Sequence, residues 1–130
     1  MGGASDTMSY AHRLGEPDFR VRYKWLPASA DGFFQRPFQH IRCDFSYAGD
    51  DIQKTGIYMI WPEFEDAEGL PIPEGHEIPE AGTATMWIVN REEYEEFHRE
   101  RVRPGVRGFF MVGSRRIAEA EVTDVLRLAR

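Results

Sequence analysis

The 130-residue chain has a single cysteine, Cys43, and only two lysines, Lys24 and Lys54. One thiol makes no internal disulfide and no thiolate metal cluster. The longest apolar runs, 56–62 and 108–113, fall far short of the roughly 20 residues that a helix needs to span a bilayer. Residues 1–8 hold neither a basic stretch nor an apolar one, so no signal peptide is read and the cytoplasm is the expected compartment. The short signatures of a P-loop, a dinucleotide site and a nucleophile elbow are all missing. The four histidines, His12, His40, His76 and His98, show no HxH or HxxxH spacing. Glu95 and His98 have ExxH spacing, but a bundle metal site needs two such pairs and further carboxylates on other helices. No metal and no cofactor is expected.

What is present argues for one folded domain. Hydrophobic residues make up 42% and charged residues 29%, with 9 Phe, 5 Tyr and 3 Trp, the profile of an ordinary globular chain. Residues 1–17, small and polar with Gly2, Gly3, Gly15 and Pro17, read as a flexible leader with a helical turn around Tyr10 to Leu14. A single β-barrel domain follows over 18–130. Its opening stretch, FRVRYKWL, alternates strictly: Phe19, Val21, Tyr23 and Trp25 on one face, Arg20, Arg22 and Lys24 on the other. The same reasoning predicts strands at 19–26, 38–47, 56–61, 83–89, 106–113 and 116–127, with Asp124 marking a bulge in the last. One helix is predicted over 91–101, with Asn90 and Glu93 as a capping box and Tyr94 and Phe97 facing in. Six strands and one short helix, closed by a strand carrying the small residues Ala118 and Ala120, predict a closed antiparallel barrel. The predicted core is Val21, Tyr23, Ile41, Cys43, Phe45, Ile57, Met59, Ile88, Phe110 and Val122.

Charge is unevenly placed. The net charge is −6, yet 63–80 holds seven acids (Glu63, Glu65, Asp66, Glu68, Glu74, Glu77 and Glu80) and no Lys or Arg. Pro71, Pro73 and Pro79 keep this stretch from being a helix, so it reads as a solvated arm. Two roles fit such an arm: a plain surface connection, or a docking surface for a basic partner carried by Glu63, Glu65, Asp66 and Glu68. Six arginines between 99 and 116 form the only basic concentration, with Arg115 and Arg116 at a predicted hairpin tip. They either pair with the acidic arm or bind an acidic surface or phosphate.

The order of these pieces resembles the C-terminal β-barrel, domain 3, of elongation factor Tu. The resemblance rests on FRVRYKWL, on the loop ending in RPF, on QHIRCDFSY and above all on the closing hairpin GFFMVGSRRIAEAEVTDVL, where Arg115 and Ile117-Ala118 stand at the family's turn Arg and Val-Gly pair. In that family the barrel makes protein and tRNA contacts and performs no chemistry. The resemblance therefore implies a binding module.

Together these readings predict a non-catalytic domain that binds another, basic protein, an immunity-type inhibitor of a toxin being one version. A second reading is an accessory module of translation touching RNA through Arg115 and Arg116. A third is a hydrolase of unknown substrate. The non-catalytic reading predicts that no pocket gathers a base, a nucleophile and oxyanion donors, and His40 or His98 beside a carboxylate and a serine in one deep cleft would overturn it.

Overall fold

The structure, a computed structural model, describes residues 9–130. In chain order its elements are α1 (Ala11–Leu14), β1 (Phe19–Trp25), β2 (Asp44–Tyr47), α2 (Ile52–Thr55), β3 (Ile60–Glu65), β4 (Ala81–Ile88), α3 (Arg91–Arg101), β5 (Arg107–Val112) and β6 (Arg115–Val125), then a 3-10 turn at Arg127–Ala129. All pairings in the sheet are antiparallel, in the order β2-β5-β6-β1-β4-β3. Two bulges curl it. Arg20 stands opposite Asp124 and Val21 opposite Val122, which leaves Thr123 as an extra residue beside the predicted site at Asp124. Ile117 is the extra residue between Phe110↔Ala118 and Met111↔Arg116. Each bulge bends its strand and increases the local twist.

The curl stops at a half-barrel; the closed barrel expected from the sequence is not formed. Strand β2 meets the segment leading into β3 at one isolated pair, where Phe45 N donates to Tyr58 O and Tyr58 N to Phe45 O, both at 2.8 Å. The residues that would have closed the seam are 38–43, the first half of the predicted strand 38–47. Here the chain turns instead, with His40 at φ +67°. The Gln39 side chain then does what a neighbouring strand would do. Its Oε1 accepts from Phe64 N at 2.8 Å, while its Nε2 donates to Phe64 O at 2.9 Å and to Ile72 O at 2.7 Å. A buried edge of β3 is thereby satisfied without a strand.

Strand β3 also starts later than 56–61. Ile52–Thr55 forms a helical turn capped by Asp51, whose carboxylate accepts from Gln53 N at 3.1 Å. The strand then runs through Glu65 in register with β4, from Ile60↔Ile88 to Glu65↔Thr83. Ile57 and Met59 therefore fall outside the core, Met59 being 41% exposed, whereas the other eight predicted core residues are buried. At the centre Tyr23, Trp25, Phe64 and Phe110 pack ring to ring, with centroids between 5.0 Å (Tyr23–Phe64) and 6.3 Å (Trp25–Phe110). Ala118 and Ala120 face Trp25 and Tyr23 across β6, and their small side chains leave room for these rings.

Helix α3 occupies its predicted span, but its inward face does not match expectation. Tyr94 and Phe97 are 38% and 39% exposed, and His98 is the buried residue. The Tyr47 hydroxyl, 2.7 Å from His98 Nδ1, supplies the partner that a buried imidazole needs. Asn90 makes no side-chain cap; its amide reaches Met59 Sδ instead. Among the described residues no helix is long and apolar enough to cross a membrane.

Candidate functional site

Residues 9–15 form a strap across the outer face of β3 and β4. On β3, Ile60 and Phe64 point into the core, so Trp61, Glu63 and Glu65 point outward. Tyr10 lies over this outer face, with ring centroids 5.8 Å from Trp61, 5.6 Å from Trp87 and 4.7 Å from His40. Glu63 is the strap's anchor. It accepts from Ser9 Oγ at 2.7 Å and from Tyr10 N at 3.0 Å, and it is 1% exposed. The far end is tied by Trp87 Nε1, which donates to Gly15 O at 3.2 Å, and by Arg127, which donates to Leu14 O at 3.2 Å.

His40 extends the anchor to a third segment. Its Nε2 lies 2.7 Å from Glu63 Oε2 and its Nδ1 lies 2.7 Å from Glu74 Oε2. A carboxylate thus faces each ring nitrogen. The left-handed backbone at His40, a conformation that costs a non-glycine residue on the order of 1–3 kcal/mol, is held by this pair of contacts.

Strap, loop 34–42 and loop 74–80 enclose a cleft of about 1330 Å³. Its walls are fixed from inside the core. The Tyr23 hydroxyl donates to Pro79 O at 2.8 Å, and Trp25 Nε1 donates to Gln35 O at 2.6 Å. Ile78 is buried in the core cluster. The polar tips of two central aromatics thus pin the two loops, and Gln39 pins the turn between them and β3. Phe34 and Phe38 line the cleft and are about half exposed.

Charge in the cleft is sorted by segment. Arg13, Arg36 and Arg42 come from the strap and loop 34–42; Glu74, Glu77 and Glu80 come from loop 74–80. Among the described residues, eight of the 14 arginines reach a carboxylate within 4.0 Å: 20, 22, 91, 99, 101, 107, 115 and 130. Arg13, Arg36 and Arg42 are not among them. Arg42 instead lies over the Trp61 ring, 4.8 Å from its centroid.

The residues singled out in the sequence are dispersed. Glu63 and Glu65 are internal, contrary to the solvated arm expected over 63–80. Glu65 is gripped by Arg20 Nε at 2.9 Å and by Thr83 Oγ1 at 2.9 Å. Asp66 turns the chain, its Oδ1 accepting from Glu68 N at 2.9 Å and Leu70 N at 3.0 Å, and Glu68 is exposed in that turn. The exposed acidic surface is therefore 66–80 and not the whole of 63–80. Arg115 donates to Asp31 at 2.6 and 3.0 Å, holding that carboxyl below its usual range, and covers the Phe33 ring. Arg116 lies over the Phe109 ring, 4.0 Å from its centroid. The basic stretch does not pair with the acidic arm as expected. Its partners are Asp31, Asp50, Glu95, Glu96 and Glu121.

Ser9, His40 and Glu74, which no sequence pattern joined, line one cleft, and Glu63 lies buried behind them in contact with Ser9 and His40. The expectation that no histidine would stand beside a carboxylate and a serine at a cleft is therefore not met, but the connections differ from those of a nucleophile and base. Ser9 donates to Glu63 and not to the imidazole, and both imidazole nitrogens already face carboxylates. Cys43 is a core thiol, buried and pushed up to about 12. Among the described residues, no group of three or more His, Cys, Asp or Glu is placed to hold a metal ion. Compared with models of known protein families and with curated proteins, the chain matches none.

Proposed function

We propose that this domain is a binding module that works without catalysis and that its partner is another protein, met at the cleft and at the exposed acidic loop 66–80. The observation that carries this reading is the cleft itself. It is preformed, its walls are pinned to the core, and its arginines have no intramolecular carboxylate among the described residues. Preformed walls reduce the ordering cost of association, and unpaired charges at a surface favour a complementary partner. At about 1330 Å³ the cleft exceeds the range of roughly 300–1,000 Å³ usual for small-ligand pockets, which favours a macromolecular occupant. The acids of 66–80 suit a partner with a basic surface, as an immunity-type inhibitor of a basic toxin requires. The binding role implied by the resemblance to domain 3 of elongation factor Tu points the same way. The RNA reading has less support, since Arg115 and Arg116 are engaged by Asp31 and Phe109.

The test is capture from nuclease-treated native lysate on immobilised protein, with the Arg36→Ala/Arg42→Ala variant alongside. A protein retained by the wild type and lost by the variant supports the reading. Retention that depends on intact nucleic acid, or His40-dependent turnover of ester or peptide substrates, would overturn it.

A further inference from the structure

We infer that the occupant of the cleft is an extended segment of the partner carrying an acidic residue, an apolar or aromatic residue and a basic residue. This inference rests on the binding-module reading and names the chemistry that the site would recognise. Arg36 and Arg42 lie on one framing segment and have no carboxylate within 4.0 Å among the described residues, so they call for an acidic group. Glu77 and Glu80 lie on another segment, exposed and likewise without a cation, so they call for a basic group. Phe34 and Phe38, 48% and 51% exposed, offer apolar surface in the same cleft. A ligand of one charge sign would leave one of these two walls uncompensated.

The mode of binding follows from the edges of the sheet. Addition of a strand needs a free edge. Gln39 and Ile72 already occupy the backbone groups of Phe64 on β3, and Tyr58 occupies those of Phe45 on β2. The segment therefore docks through its side chains in the cleft rather than as an added strand. Opposite charges at fixed places also set its direction, because reversing the segment would bring like charges together.

Selection from a displayed library of random 12-residue peptides against the full chain tests this. Enriched peptides are expected to carry one acidic and one basic residue flanking an apolar one in a constant order. Their affinity should fall about tenfold for Arg36→Ala/Arg42→Ala and for Glu77→Gln/Glu80→Gln, and reversed-order peptides should bind as weakly. All four side chains are exposed, Arg42 giving up its contact with the Trp61 ring, and thermal melting checks that both variants remain folded. Enriched peptides of one charge sign, or peptides indifferent to both variants, would overturn the inference while leaving the module a binder. Failure to enrich any peptide while a protein is still captured from lysate would also overturn it and leave the wider reading standing.

Discussion

Replacing Glu63 with alanine removes the anchor shared by the strap and His40. Its carboxylate accepts from the Ser9 hydroxyl, accepts from Tyr10 N and faces His40 Nε2, at 2.7, 3.0 and 2.7 Å. Truncation leaves the buried Tyr10 N–H and His40 Nε2 without their partner, while the part-exposed Ser9 hydroxyl can turn to water. A buried polar group left unsatisfied costs about 1–3 kcal/mol, so two cost about 2–6 kcal/mol. With the desolvation of the carboxylate relieved, a figure toward the lower end, about 3 kcal/mol, is the one to expect. Trp61 and Trp87 lie beneath the strap and report on it by fluorescence. For a urea slope of about 1–3 kcal/mol/M, the midpoint should fall by about 1–3 M. Trypsin should also cut faster after Arg13, which sits in the strap's helical turn. A loss under about 1 kcal/mol, with cleavage at Arg13 unchanged, would refute the account of how the cleft is built.

Three other perturbations follow from the packing and the buried groups. A Cβ at Gly108 would lie 2.3 Å from Phe45 Cζ and 2.5 Å from Ser46 O, so Gly108→Ala should destabilise the fold by about 3 kcal/mol in chemical denaturation. The Tyr10 hydroxyl is buried and makes no well-formed hydrogen bond among the described residues, with the Arg42 guanidinium a polar neighbour, so Tyr10→Phe should keep the ring contacts and leave stability within about 1 kcal/mol of the wild type. Burial, helped by the nearby Arg101, pushes His98 down to about 4 from the usual 6.5, so between these values the unfolded chain binds a proton that the native chain does not. Stability should therefore fall as pH drops from about 6.5 to about 4, by about 3 kcal/mol in total, and paired denaturation series should show His98→Gln lacking that component.

How far the sequence disclosed the fold depends on where the deciding contacts lie. Strand β1 and the closing hairpin were legible because their alternation is local and each faces the core on one side only. The stretch GIYMIW (56–61), which only enters β3 at Ile60, is apolar on both faces, so local pattern does not choose its parity; it points Ile57 and Met59 inward, whereas Ile60 and Phe64 are the inward residues. The stretch 38–43 alternates like a strand; what ends it is the left-handed turn at His40 and the Gln39 amide on Phe64, a contact 25 residues away that no local pattern signals. Composition alone makes Glu63 and Glu65 read as solvated. The alternation that places them outward on a strand is present, in Ile60, Pro62 and Phe64 against Trp61, Glu63 and Glu65. Their burial, however, depends on a strap about 50 residues distant and on Arg20. The cleft was missed for the same reason, since its walls come from three separate segments. A lone tyrosine in an otherwise small, polar leader was the one local sign that residues 9–15 dock.

The central claim is that the cleft is the surface through which this domain works. Amide chemical-shift mapping of isotope-labelled protein, titrated with the captured partner or a selected peptide, tests it most directly. The account predicts that shifts concentrate in 9–13, 34–42 and 74–80 and that they weaken as salt rises, because exposed charges are screened over roughly 10 Å at 0.1 M. Shifts confined to the hairpin around Arg115 and Arg116, or to the exposed face of α3 at Tyr94 and Phe97, would contradict it.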